Sequence, residues 1–337
     1  MTPERLIEAW RSLGAEPAHP AGMQRVRLNT ESAADVFACI FWPSGRPGLL
    51  IEGNGAYRPA DNHIPTCRGV RTVHEVIGAP VERTVLRVLL EDDRLLDIFA
   101  VLSADLIDAA ISESTVSAAL RRCIDRICLW QGLFERVPAE GLSEERQRGM
   151  MGELLILESL LIPRLDAVAA VSAWVGPDPA YQDFIHGGTA IEVKTSLAKR
   201  HARIIVANEK QLDERPHSAL VLAHLRLDES ATLGESLPVV VNRLRQLLSA
   251  DTAAARQFDD QLMLGGFLDV HAPIYVLNRW RLSSSRFFRV DGEFPRLTEA
   301  NLPAGVGDIH YSIIADDLGS FEITAEEAAF LLEVDNG

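Results

Sequence analysis

Two periodicities alternate along this chain. A polar, helix-like stretch at Pro3 to Leu13 opens it. From about Ser114 to Phe134, Val116, Leu120, Cys123, Ile124, Ile127 and Cys128 recur at i, i+3, i+4 spacing, which predicts a long helix with Arg121, Arg122, Asp125 and Arg126 turned to water. Between these helices lie short runs rich in Val, Ile, Leu and Phe: VRLN, DVFACIFWP, GLLIEG, RTVHEVIG, TVLRVLLED and LLDIFAVLS. Gly, Pro and Asp turns separate them, predicting an antiparallel sheet. Pro138, Gly141 and Ser143 then punctuate the chain, and Ser143 starts S-E-E-R, an N-cap with acidic residues in the first turn. The pattern beyond it predicts a helix over 144–161, a strand near 168–175, a hairpin, a strand at 203–207, a helix at 208–214 and a strand at 218–225. Amphipathic helices follow Pro238 (VVVNRLRQLLS, AAARQFDDQLMLGGF), then strands at APIYVLNRWRL, RFFRVDG and DIHYSIIAD, and a short helix, TAEEAAFLLEV. The fold class is mixed α and β in three parts: an N-terminal α+β domain (1–140) ending in the long helix, a core (141–226), and a C-terminal α/β extension (227–337) packing on it.

The hairpin carries the chemistry. AYQDFI and TAIEVKT flank His186, Gly187 and Gly188, a tight-turn sequence. A turn centred on the two glycines sets Asp183 opposite Glu192, whether the loop has two residues or four. Strand alternation then puts Glu192 and Lys194 on one face and Ile191 and Val193 on the other. Two opposed carboxylates, with Cβ atoms roughly 5 Å apart, repel. A hard cation such as Mg²⁺ compensates, because it takes oxygen ligands and often uses only one or two protein carboxylates. Upstream, Glu153 sits in the apolar helical run LLIL and needs a partner there.

A helix with Glu153, a strand with Asp183 and then Glu192-Val193-Lys194 resembles the PD-(D/E)XK nuclease superfamily, and Glu209-Lys210-Gln211-Leu212 adds to the likeness. More closely, the chain is similar to a bacterial group of poorly characterised PD-(D/E)XK motif proteins often found with restriction and modification genes. That likeness extends through FDDQLMLGGF, FFRVDGEFPRL and LPAGVGDIHYSI. It implies a restriction-endonuclease-like αβββαβ core with a mixed sheet flanked by helices. It also implies a Mg²⁺-dependent endodeoxyribonuclease (Mn²⁺ substituting) of a prokaryotic restriction or phage-defence system. Asp183, Glu192 and Glu153 would be the metal residues, Lys194 would orient the attacking hydroxide, and Gln211 and Lys210 would position groups or contact phosphate. The rival reading is a non-catalytic DNA-binding or assembly subunit with the same fold, and a third is an RNA-directed nuclease. A literal Pro-Asp occurs at Pro177-Asp178, but the register argument favours Asp183.

Composition narrows the partners. The net charge of −15 argues against a general nucleic-acid coat, since phosphate binding needs clustered cations. A local cluster after the motif, Lys199, Arg200, His201 and Arg203, and then Lys210, is the candidate nucleic-acid contact. Neither a signal-type N-terminus nor an eighteen-residue apolar run is present, so the expectation is a cytoplasmic protein with no membrane partner. The four cysteines lack metal-ligand spacing and are expected to be thiols. Trp42, Tyr57 and His63 are expected to pack the sheet rather than stack on bases. His186 belongs to the turn, and Ser196 has no histidine partner in view. No GxxxxGK[ST] loop is present, so nucleotide hydrolysis would need a partner protein; the resemblance implies a methyltransferase or an ATPase as other subunits, and an oligomer is compatible with the sequence.

Overall fold

The alternating runs of the N-terminal third form five antiparallel strands in the order β1-β2-β3-β5-β4. These are β1 (Gly22–Arg27), β2 (Asp35–Trp42), β3 (Arg46–Asn54), β4 (Val70–Ile77) and β5 (Arg83–Leu90), accompanied by α1 (Pro3–Gly14), α2 (Leu96–Ile111) and α3 (Val116–Arg136). The computed structural model describes residues 1–15, 20–28, 32–59, 67–78, 80–136, 140–176, 182–197 and 202–333. The chain divides into two units, Met1–Glu140 and Gly141–Gly337.

In the first unit LLDIFAVLS is helical, not a strand. Asp92 accepts from the Arg94 amide and starts the 3₁₀ turn that leads into α2, and an apolar run buried on several sides has no periodicity to separate helix from strand. Phe99 of α2 stacks on Trp10 of α1 at 5.3 Å. Arg126 is not turned to water either: its Nε and the Trp130 indole both donate to Asp105.

The second unit begins with α4 (Glu144–Ile156), capped by Ser143, which continues through a π turn at Leu157–Leu161. Then come α5 (Ala167–Ala173), β6 (Phe184–His186), β7 (Thr189–Leu197), β8 (Arg203–Val206), β9 (Ala219–Glu229), α6 (Leu237–Leu248), α7 (Thr252–Leu264) and α8 (Ala272–Tyr275). The unit ends with β10 (Trp280–Arg289), β11 (Tyr311–Ile314), β12 (Glu322–Ile323) and α9 (Ala325–Glu333). The main sheet runs β12-β10-β9-β7-β6 and is mixed, with β7 and β9 parallel and the other pairs antiparallel. Strands β8 and β11 form a separate antiparallel pair. The chain thus has the mixed α+β, restriction-endonuclease-like fold. Because β10 and β12 complete the sheet that β7 and β9 begin, residues 227–337 belong to the same unit as the motif.

Three local expectations are corrected. Residues 167–173 are helical because Asp166 accepts from the Ala169 amide at 2.9 Å and the segment is alanine-rich. Residues 208–214 form turns rather than a helix. Gln182 takes the Lys210 and Gln211 carbonyls, and the Arg215 amide donates to Asp213 Oδ1 rather than reaching back to Gln211, so the i to i−4 ladder of a helix does not form. The stretch APIY is the short α8, and the strand expected in two pieces is the single β10.

The two faces of the sheet differ. Ile191, Val193, Val221, Ala223, Leu225 and Phe287 pack in one core with residues of α4, α5, α6, α7 and α9. On the opposite face Ala190, Leu220, Leu222 and Phe288 pack beneath Ile204, Val206 and Ile313 of the β8–β11 pair. Beyond that apolar patch, strand alternation makes this second face polar: Glu192, Lys194 and Ser196 on β7, and His224 and Arg226 on β9, with Lys194 beside His224 and Ser196 beside Arg226.

Candidate active site

Gly187 and Gly188, with φ of 54° and 80°, supply the two positive dihedrals of a tight hairpin turn. The register pairs Phe184 with Ile191, Ile185 with Ala190 and His186 with Thr189, and the Asp183 amide donates to the Ile191 carbonyl at 3.1 Å. Asp183 therefore stands opposite Glu192, one residue before the formal start of β6. Its carboxylate accepts from the Val193 amide at 2.7 Å.

Helix α4 brings the third carboxylate. Gly152 lets it lie against β7: a Cβ there would sit 2.3 Å from the Thr195 methyl carbon. The next residue, Glu153, accepts from the Trp174 indole at 2.8 Å. A Cβ at Gly176 would fall 2.9 Å from Asp183 Oδ1 and 3.0 Å from Glu153 Oε2, so the two carboxylates face one small space that only glycine leaves open. Glu192 is 1% exposed. Its Oε1 meets Lys194 Nζ at 2.7 Å, and its Oε2 is buried with no hydrogen-bond partner among the described residues. Lys194 Nζ also donates to Gln211 Oε1 at 3.0 Å, and that oxygen is fixed by the Ala207 amide at 2.8 Å.

Three carboxylates thus surround one ammonium. Burial, and then the charge of Asp183, raises the proton affinity of Glu153 and of Glu192; burial raises that of Asp183 against the opposing pull of the Val193 amide and Lys194. Burial alone would lower Lys194, but Glu192 and the other two carboxylates outweigh it and hold the ammonium charged. The cluster carries excess negative charge on oxygen donors, one of them unsatisfied, which is the chemistry that suits a hard divalent cation. No preassembled cage of three or more His, Cys, Asp or Glu residues occurs among the described residues, so an ion here would complete its shell with water or substrate oxygens.

A cleft of about 1210 Å³ opens over this cluster, and Glu153, Asp183, Glu192, Lys194 and Gln211 all line it. Of the candidate nucleic-acid contacts, Arg203 lines the cleft and is exposed, whereas Lys210 is half-buried on the turn and is not among the lining residues. Lys199, Arg200 and His201, with Pro177-Asp178 and His63, lie outside the described residues. His186 closes the hairpin away from the cleft lining.

Several neighbours were not foreseen. Gln182 holds the Lys210 and Gln211 carbonyls and meets His217, tying the start of the hairpin to the turn that carries Gln211. Trp174 and Gly176 shape the space around Glu153. Ser196, for which the sequence offers no partner, lies 2.8 Å from His224 Nε2 across the parallel β7–β9 pair. Sequence spacing could not show this, because β7 and β9 are joined by a crossover whose length does not fix register.

A family model described as "Putative PD-(D/E)XK family member (DUF4420)" matches residues 6–316, all but the ends of the chain. No curated protein and no solved structure matches it.

Proposed function

Because the chain belongs to the DUF4420 family of PD-(D/E)XK proteins, we propose that it is a Mg²⁺-dependent endodeoxyribonuclease acting in a prokaryotic restriction or phage-defence system. The observation that carries this reading is the buried, unpartnered Glu192 Oε2 beside Lys194 and opposite Asp183, at the floor of an open cleft. Asp183 and Glu192 would hold the ion, with Glu153 beside them directly or through water. When bound, such an ion neutralises charge on phosphate oxygens and lowers the pKa of water in its shell.

The chain's own groups do the rest. Lys194, held cationic by the carboxylates and fixed by Gln211, places positive charge where the pentacovalent phosphate gathers negative charge. Trp174 fixes the Glu153 carboxylate. Arg203 and Arg226 line the same cleft and give a polyanion local attraction against a net charge of −15.

The acidic balance favours a second reading, a DNA-binding or assembly subunit that keeps the fold without cutting. Partners in either case would be DNA and other subunits of such a system, a methyltransferase or an ATPase. No described helix is long and apolar enough to cross a membrane; a cytoplasmic site of action is part of the proposal. Incubating the protein with supercoiled plasmid separates the readings. Nicking is expected with Mg²⁺ or Mn²⁺ and is abolished by chelator; structured RNA under the same conditions should survive. Binding without nicking, at any divalent-ion concentration, would favour the assembly reading, and preferential loss of the RNA would reassign the substrate.

A further inference from the structure

The pair Ser196 and His224 lies in the polar part of the cleft face but outside the carboxylate–lysine cluster. Ser196 lines the cleft, and His224, 1% exposed, lies behind it. The contact is 2.8 Å, from Oγ to Nε2. The other ring nitrogen, Nδ1, is buried with no hydrogen-bond partner among the described residues. A serine beside a histidine invites a nucleophile and its base, but the surroundings oppose that. The base would have to become a cation, and burial, Arg226 and Arg286 hold His224 neutral, pushed down to about 4. Asp316 pulls the other way, but among the described residues no carboxylate accepts from Nδ1 to support a positive ring.

The same surroundings fix the tautomer. A buried N–H without an acceptor is rarer than an acceptor without a donor, and the nearby guanidiniums favour a lone pair at Nδ1. The proton therefore belongs on Nε2, which donates to Ser196 Oγ and leaves the serine hydroxyl hydrogen to point elsewhere. Among the described residues no other hydrogen bond reaches Ser196 Oγ. Arg226 is its neighbour across the strand pair and also lines the cleft.

We propose that Ser196 donates a hydrogen bond to a backbone phosphate oxygen of the nucleic acid in the cleft, next to the phosphate being cut, and that His224 is the positioning residue that aims its hydroxyl. The proposal rests on the nuclease reading for its ligand but concerns binding, so the two can fail separately. The test is anisotropy of a fluorescein-labelled DNA duplex on the full chain in Ca²⁺, where cutting is suppressed. Ser196→Ala should weaken binding about tenfold, the scale of one hydrogen bond to a charged acceptor, and His224→Leu about as much. His224→Gln keeps an N–H near the Nε2 position and should stay within about threefold of wild type on the same scale. The Ser196→Ala/His224→Leu double variant should bind no worse than Ser196→Ala, because His224 acts through the serine. Unchanged affinity of Ser196→Ala, or additive losses in the double variant, would overturn the proposal. Should His224→Leu not fold, Ser196→Ala against His224→Gln decides it. Binding with this pattern but no cutting in Mg²⁺ refutes the nuclease and keeps the subsite; no affinity of wild type for the duplex overturns both.

Discussion

If the chain cuts DNA as proposed, Glu192→Gln should lower plasmid cleavage by at least about a hundredfold, the upper range seen when mere supporting groups around a metal are lost, while making the protein more stable at neutral pH. The two effects come from the same oxygen. Burial and Asp183 raise the proton affinity of Glu192 in the folded chain, whereas in the unfolded chain it titrates as an ordinary glutamate. Below that ordinary value the carboxyl is neutral in both states and costs nothing. As pH rises above it, the folded state must keep a proton or bury a charge, so wild type loses stability that the neutral amide does not. Each tenfold change in proton affinity is worth about 1.4 kcal/mol. A gain of that size moves the melting temperature by several degrees for a unit of this length. Thermal melts in metal-free buffer should therefore give nearly equal midpoints for the two proteins near pH 4 and an advantage for Glu192→Gln that widens towards pH 8. Asp183→Asn behaves alike in activity, and its amide oxygen can still accept from the Val193 amide. A variant that loses activity only together with its fold would mean that Glu192 is structural.

Lys194→Met has the opposite signature in stability and the same in activity. Methionine keeps the length of the aliphatic stem, so what is lost is the charge that meets Glu192 at 2.7 Å and Gln211 at 3.0 Å. Removing one partner of a buried ion pair typically costs about 3–5 kcal/mol. Here the loss should shrink as pH falls and the carboxylates take up protons. Turnover should drop about a hundred- to a thousandfold, the range for a positioned group that stabilises transition-state charge. Combining Glu192→Gln with Lys194→Met should recover most of the stability and none of the turnover, since the two side chains balance each other in the fold but serve different parts of the reaction. Full activity in Lys194→Met would remove the lysine from the chemistry.

The cluster was legible where its geometry is local. Two adjacent glycines with positive φ set the hairpin, and a hairpin's turn fixes its register, so Asp183 could be placed opposite Glu192 from spacing alone. Glu153 was legible as a polar residue in an apolar helix, a position that demands a partner. Gln211 reached Lys194 although its segment is a set of turns, because the Ala207 amide aims its side chain. What was not legible depends on contacts across a crossover or between layers. His224 reaches Ser196 only through the parallel pairing of β7 with β9, and Trp174 reaches Glu153 only once α5 returns the chain to the sheet. The misread elements share a cause. In α2 the apolar residues are buried on several sides, and the 7 residues of α5 are too few to show a period, so in both the deciding signals are the caps at Asp92 and Asp166.

The claim that Asp183 and Glu192 form a divalent-ion site is tested most directly by soaking crystals with Mn²⁺ and mapping its anomalous scattering. One peak in contact with both carboxylates, absent in Glu192→Gln, is the expected result. A Mn²⁺ peak elsewhere on the chain, or none at saturating ion, would contradict it.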